Sequence, residues 1–147
     1  MEDLTFRKAT EADSDFAYMV KKVTFREYAD QVWGWDEAQQ RGLHERRFVA
    51  QDFRIIQVGG RDVGVLATVS EADCVRVNQL FILPQYQRKG IGAACMKHVL
   101  GEAEAREKSV KLQVLKVNPR AIEFYQELGF IGVGESDTHT QLVWSPG

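Results

Sequence analysis

The sequence predicts an α/β (α+β) domain built on a mixed, mostly antiparallel twisted sheet of about seven strands with helices on both faces. Three observations carry this. Between Phe53 and Leu83, three alternating apolar runs are separated by short polar turns, the pattern of an antiparallel meander. From Ile91 the period becomes helical, with Ile91, Cys95, Val99 and Ala103 four apart and Met96 and Leu100 beside them. A strand, a short helix and two closing strands then follow, so a βαβ crossover joins the antiparallel part.

Taken in order, Leu4–Lys8 alternates as a short strand, and Thr10-Glu11-Ala12-Asp13 starts a helix with acidic first-turn residues. That helix is read from about Glu11 to Tyr28, and a second, surface-lying one from Trp35 to about Phe48. The meander comprises Phe53–Val58, a turn at Gly59–Asp62, Val63–Val69, a turn near Glu71–Asp73, and Val75–Leu83. After the helix that carries Ile91, Lys111–Val117 is a strand. Pro119–Leu128 is a helix signed by Asn118 as N-cap, Pro119 in the first turn and Gly129 just past the end. Ile131–Val133 and Thr140–Trp144 close the sheet, giving the order βααβββαβαββ.

At 147 residues and 44% hydrophobic content, the chain is expected to form one domain, residues 1–147, that must hold any cofactor and any substrate. The formal charge of −2 lacks the basic excess that favours a phosphate backbone, so no nucleic-acid partner is expected. No apolar run approaches the roughly 20 residues that span a bilayer, and the start, Met1-Glu2-Asp3-Leu4-Thr5, is acidic. The expectation is a soluble, unprocessed, cytoplasmic protein without a membrane partner. Cys74 and Cys95 lie in no metal-ligand spacing, and His44, His98 and His139 share none, so no metal is expected.

The most informative stretch is Leu80-Phe81-Ile82-Leu83-Pro84-Gln85-Tyr86-Gln87-Arg88-Lys89-Gly90-Ile91-Gly92-Ala93. A strand ends, a tight turn follows, and a glycine-bearing helix begins, so several backbone N–H groups converge at a positive helix terminus. This is an anion site suited to a pyrophosphate, with Gly90 and Gly92 allowing close approach and Arg88 and Lys89 adding charge. The GxGxxG spacing is absent and no Gly-Lys-Ser/Thr follows, which excludes the Rossmann and Walker loops. Gln87-Arg88-Lys89-Gly90-Ile91-Gly92 matches the Gln/Arg-x-x-Gly-x-Gly/Ala signature, and with Leu80-Phe81-Ile82-x-Pro-x-Tyr before it and Asn118-Pro-Arg-Ala-Ile-x-Phe-Tyr-x-x-Leu-Gly-Phe130 behind it the C-terminal half resembles the GNAT (GCN5-related) N-acetyltransferases.

The resemblance implies the GNAT acyl-CoA N-acyltransferase fold, acetyl-CoA as cosubstrate, and transfer of its acetyl group to a primary amine by direct attack in a ternary complex. It places the pantetheine arm between the fourth strand, which splays, and the fifth. Phe81, Ile82 and Leu83 would hold that arm by backbone groups, with one N–H polarising the thioester carbonyl. Gln87, Arg88, Lys89, Gly90, Ile91, Gly92 and Ala93 would hold the pyrophosphate, and Asn118 would contact the pantetheine. Tyr125 falls where the family has a tyrosine facing the CoA sulfur, the general acid for the departing thiolate. The alternative for Tyr125 is a core-edge tyrosine with an incidental hydroxyl.

Many family members carry a fourth-strand glutamate where this chain reads Arg76-Val77-Asn78-Gln79, and neither amide can take a proton. Either a carboxylate such as Asp36, Glu37 or Glu71 acts through water, or the amine arrives neutral. On the acceptor side, Tyr28, Trp33, Trp35, Asp36 and Glu37 could form an aromatic, anionic pocket for a cationic amine. The alternative is a structural cluster at the start of the second helix. Acceptors would be small-molecule or peptide amines, and a homodimer is compatible with the family. A non-catalytic acyl-CoA-binding sensor or interaction module is the competing function.

Overall fold

The computed structural model describes residues 3–147; Met1 and Glu2, part of the acidic start, lie outside them. The expected element order is observed: β1 Leu4–Lys8, α1 Ser14–Trp33, α2 Glu37–Ala50, β2 Asp52–Val58, β3 Arg61–Ser70, β4 Cys74–Ile82, α3 Ile91–Ala105, β5 Ser109–Leu115, α4 Pro119–Glu127, β6 Ile131–Glu135 and β7 His139–Trp144. They form a seven-stranded mixed sheet in the order β1-β2-β3-β4-β5-β7-β6. The first helix departs most from expectation. A separate 3-10 turn covers Glu11–Asp13, and α1 runs past Tyr28 to Trp33, where Gly34 at φ 74° ends it and donates to the Asp30 carbonyl. α2 begins two residues later than read, because the Asp36 side chain accepts from the Gln39 N–H as its N-cap.

Contact density divides the chain into two compact units. The first runs through Thr68 and resumes over Gln79–Gly92. Its core joins Ala17 and Val20 of α1 to Phe53 and Ile55 of β2, Val65 and Ala67 of β3, and Leu83, with Phe16, Phe48, Phe81 and Tyr86 packed around them. Each large side chain buried there contributes about 1.5–3 kcal/mol. β2 and β3 turn through Gly59 and Gly60, both at positive φ, in a two-residue hairpin that pairs Val58 with Arg61. His44 is fully buried in this unit, its Nε2 near the Ser14 oxygens and its ring among Tyr18, Phe48 and Phe53.

The second unit holds Val69–Asn78 and Ala93–Gly147. The predicted stripe of α3 is buried from Ile91 through Cys95, Met96, Val99 and Leu100 to Ala103, so Cys95 is a packing residue. β5 lies antiparallel to β7 from Val110↔Trp144 to Leu115↔His139, and β7 to β6. The parallel register of β4 with β5 covers Cys74–Arg76 against Ser109–Lys111, after which β4 continues to Ile82 and β5 to Leu115.

An ion pair anchors β1 to the start of α1. Both terminal guanidinium nitrogens of Arg7 donate to Asp13 at 2.8 Å, and the Thr10 N–H adds a third bond at 2.8 Å. Chiefly through the Arg7 hydrogen bonds, and against burial, the Asp13 carboxyl falls from 3.8 to about 2. A depressed carboxyl favours the fold above its unfolded value, and that gain disappears as pH falls from about 4 to about 2. Asp13→Asn is expected to cost about 1–2 kcal/mol at neutral pH, allowing for the partly exposed Arg7. Urea titrations should show the two proteins converging near pH 2.

Candidate functional site: the β4–α3 turn and its surroundings

Beyond β4 the chain makes a 3-10 turn at Pro84–Tyr86, closed by Tyr86 N–H to Leu83 O at 2.9 Å and Gln87 N–H to Pro84 O at 3.2 Å. The Gln87 side chain reaches back and donates to the Ile82 carbonyl at 2.8 Å. Gln87 therefore ties the turn to the strand by its side chain, a role the sequence motif did not suggest. It also occupies one acceptor position of a carbonyl expected to hold the pantetheine arm. Arg88 at φ 62° and Gly90 at φ 81° are both left-handed. For Arg88 that conformation is strained, and such strain concentrates at ligand turns. The N–H groups of Arg88, Lys89 and Gly90 donate to nothing among the described residues, and those of the first turn of α3, from Ile91, have no partner within the helix. Gly92 and Ala93, the next two residues, are half-buried. The arrangement is a run of free donors at a positive helix end, with exposed Arg88 and Lys89 at its rim.

Gly64 shapes the strand that carries Phe81 and Ile82. A Cβ on Gly64 would overlap the Phe81 carbonyl oxygen and lie 3.0 Å from Ile82 Cδ1 and 3.2 Å from Ile82 Cα. The signal was legible as a lone glycine inside the run Val63-Gly64-Val65-Leu66. Because the obstruction is backbone, Gly64→Ala must displace β4, at an expected cost of about 1–3 kcal/mol. Calorimetry should register a Tm fall of roughly 3–10 °C. An unchanged Tm would mean that β4 yields freely there.

In the second unit, Asn118 caps α4, its Oδ1 accepting from Ala121 N–H at 3.3 Å. α4 is strongly amphipathic in sequence, yet none of its residues is buried; Ala121, Ile122, Phe124 and Tyr125 are half-buried along it. The Tyr125 ring packs edge-on against Phe124 at 5.0 Å and Phe130 at 5.5 Å. Burial pushes its phenol above the ordinary value, which keeps it protonated at neutral pH. Its hydroxyl makes no hydrogen bond among the described residues, so the core-edge reading finds a packed ring but no structural partner for the oxygen.

Of the proposed acceptor residues, Trp35 and Glu37 are joined by a hydrogen bond, and the acids have other partners as well. Glu37 accepts from Tyr18 OH at 3.0 Å, Trp35 Nε1 at 2.9 Å and Lys22 Nζ at 3.0 Å. The Trp35 and Lys22 bonds lead in lowering its carboxyl to about 2. Asp36 caps α2, Arg26 lies 6.0 Å from the centre of the Trp35 ring, Tyr28 is half-buried, and Trp33 is 55% exposed. Glu71, the third carboxylate considered as a base, accepts from Cys74 Sγ at 3.1 Å and Arg76 Nε at 2.8 Å, which lowers it also. Each nominated carboxylate is therefore engaged, and the two lowered ones are weak proton acceptors.

Among the described residues no group of three or more His, Cys, Asp or Glu is placed to hold a metal, and no helix is long and apolar enough to cross a membrane. Residues 44–131 match the acetyltransferase (GNAT) domain family, and the chain belongs to it. An uncharacterised N-acetyltransferase of Methanocaldococcus jannaschii is 30% identical over 86 residues, a match that covers 53% of this chain and 38% of that protein. The PaiA N-acetyltransferase of Thermoplasma acidophilum, solved with coenzyme A, superposes with a TM-score of 0.79 at 13% identity, covering 97% of this chain and 99% of the other. Naa50 of Arabidopsis thaliana, solved with a bisubstrate analogue, CoA-Ac-MVNAL, gives 0.73 at 18% identity, with 97% and 98% covered. At these identities the structures establish the fold.

Proposed function

We propose that this chain transfers the acetyl group of acetyl-CoA to a primary amine, by direct attack of the amine on the thioester within a ternary complex. The observation that carries the reading is the donor turn: Arg88 and Gly90 in left-handed conformations, three free N–H groups, and the start of α3 directly after them. Those donors suit the CoA pyrophosphate. The backbone of Phe81 and Ile82 at the end of β4, with Leu83 just past it, takes the pantetheine arm, an N–H there stabilises the developing oxyanion, a contribution of about 3 kcal/mol, and Tyr125 protonates the leaving thiolate. The tied carboxylates favour an amine that arrives already neutral. An acetyl-CoA consumption assay over an amine panel, with product masses measured, tests the reading. Saturable acetyl-CoA binding without turnover on any amine would favour the sensor reading, which the carboxylate-free stretch Arg76–Gln79 supports.

A further inference from the structure

Gln79 is a buried polar residue that the fold leaves unserved. It is 4% exposed, and neither its Oε1 nor its Nε2 has a hydrogen-bond partner among the described residues. A carboxamide left in that state is costly, whereas an apolar residue of the same size would not be. Side chains alternate along a strand, so Gln79 shares the face of Phe81, two residues on. That is the face covered by α1: the Phe81 ring lies 5.6 Å from Phe25, and Phe81 packs on the cluster containing Ala17 and Val20. Successive residues of a strand rise by about 3.3 Å, so a glutamine side chain reaches along its face to the neighbourhood of residue 81.

We infer that the Gln79 carboxamide is a recognition group for the acceptor, and that the acceptor is an α-amino amide, an amine with an amide beside it as at a peptide N-terminus. The assignment rests on the acetyltransferase reading above and narrows its substrate. A carboxamide offers one donor edge and one acceptor edge, and an amide offers the complementary pair. A second observation points the same way. Glu37 and Glu71 are held low by their partners and Asp36 caps α2 through one oxygen, an arrangement that favours an acceptor already partly neutral. An α-amine, with an ordinary pKa of about 8, is roughly a quarter neutral at pH 7.5, against about one molecule in a thousand for an alkylamine near 10.4. In the reaction the neutral nitrogen forms the new N–C bond, the C–S bond breaks, the thiolate takes a proton from Tyr125, the nitrogen's surplus proton passes to solvent, and solvent returns a proton to the Tyr125 phenolate.

The test compares alaninamide with isopropylamine, which carries a methyl where alaninamide has its carboxamide, on the full chain and on Gln79→Leu. With rates expressed per neutral amine, the intact protein is expected to prefer alaninamide at least tenfold in kcat/KM. Gln79→Leu should reduce that preference to within about twofold of unity through the alaninamide KM, leave the acetyl-CoA KM unchanged, and hold or raise Tm, since an unserved buried amide has been removed. An equal preference for both amines in the intact protein overturns the inference while leaving the acetyltransferase reading intact. So does a Gln79→Leu protein that loses stability but keeps the preference, because Gln79 is then structural, or one that loses acetyl-CoA affinity instead. Absence of turnover on both amines leaves the acetyltransferase reading to the wider amine panel. Calorimetric binding of alaninamide to the CoA-loaded protein then decides for Gln79: tight binding that Gln79→Leu weakens tenfold supports the assignment, and no binding, or equal binding, ends it.

Discussion

Gly92→Asp is expected to abolish useful coenzyme A binding in a protein that still folds. Gly92 is the second residue of α3 and is not among the glycines at positive φ, so a side chain brings no backbone strain. An acidic residue in a first helical turn is, if anything, favourable to the helix dipole. The unliganded domain should therefore keep or slightly raise its Tm. A diphosphate on the N–H groups of residues 88–93 would meet the new carboxylate at close range. Two unit charges about 4 Å apart, at an effective dielectric of about 20, repel by about 4 kcal/mol, roughly a thousandfold in affinity. Solvent screening that halved this would still leave about thirtyfold. Gly90→Asp is the poorer probe, because Gly90 sits at φ 81° and a side chain there is strained whatever binds. Isothermal titration with coenzyme A checks the expectation, and an unaltered Kd for folded Gly92→Asp would place the pyrophosphate elsewhere.

What the sequence revealed followed from how local each signal is. The α3 stripe and the Asn118–Pro119 start of α4 are written in neighbouring residues, and both appear as read. The length of α1 was not, since nothing between Tyr28 and Trp33 breaks a helix and the stop at Gly34 depends on its positive φ. The glycine turn was legible as a motif, but its brace was not: Gln87 acts through a side-chain bond to Ile82, which only the fold brings close. Asp36 and Glu37 could be read from sequence either as a cation pocket or as the start of α2, because composition shows charge and hides partners. One of them caps α2 and the other already holds Tyr18, Trp35 and Lys22. Gln79 stood in phase with Val77 and Phe81, a polar residue on an apolar alternation. That its amide lacks partners required the packed strand.

Tyr125→Phe is expected to lower kcat by roughly one to three orders of magnitude, the range for losing a positioned general acid, with acetyl-CoA affinity little changed. The substitution keeps the ring, and with it the edge-on contacts to Phe124 and Phe130. Because the hydroxyl has no hydrogen-bond partner among the described residues, its removal strands no other group, and Tm should stay within a degree or two. The raised phenol adds a sign that can be checked: a group with a raised value stays protonated to higher pH, so the wild-type rate should not fall from loss of this acid until well into the alkaline range. A proton donor also matters least when the leaving thiolate is already stable. An acyl donor with a more acidic thiol should therefore narrow the gap between variant and wild type, which simple mispositioning of the substrate would not do. Single-turnover measurement establishes whether chemistry limits kcat. If it does, and Tyr125→Phe retains the full rate at saturation, the thiolate takes its proton from water and Tyr125 serves as packing at the edge of α4.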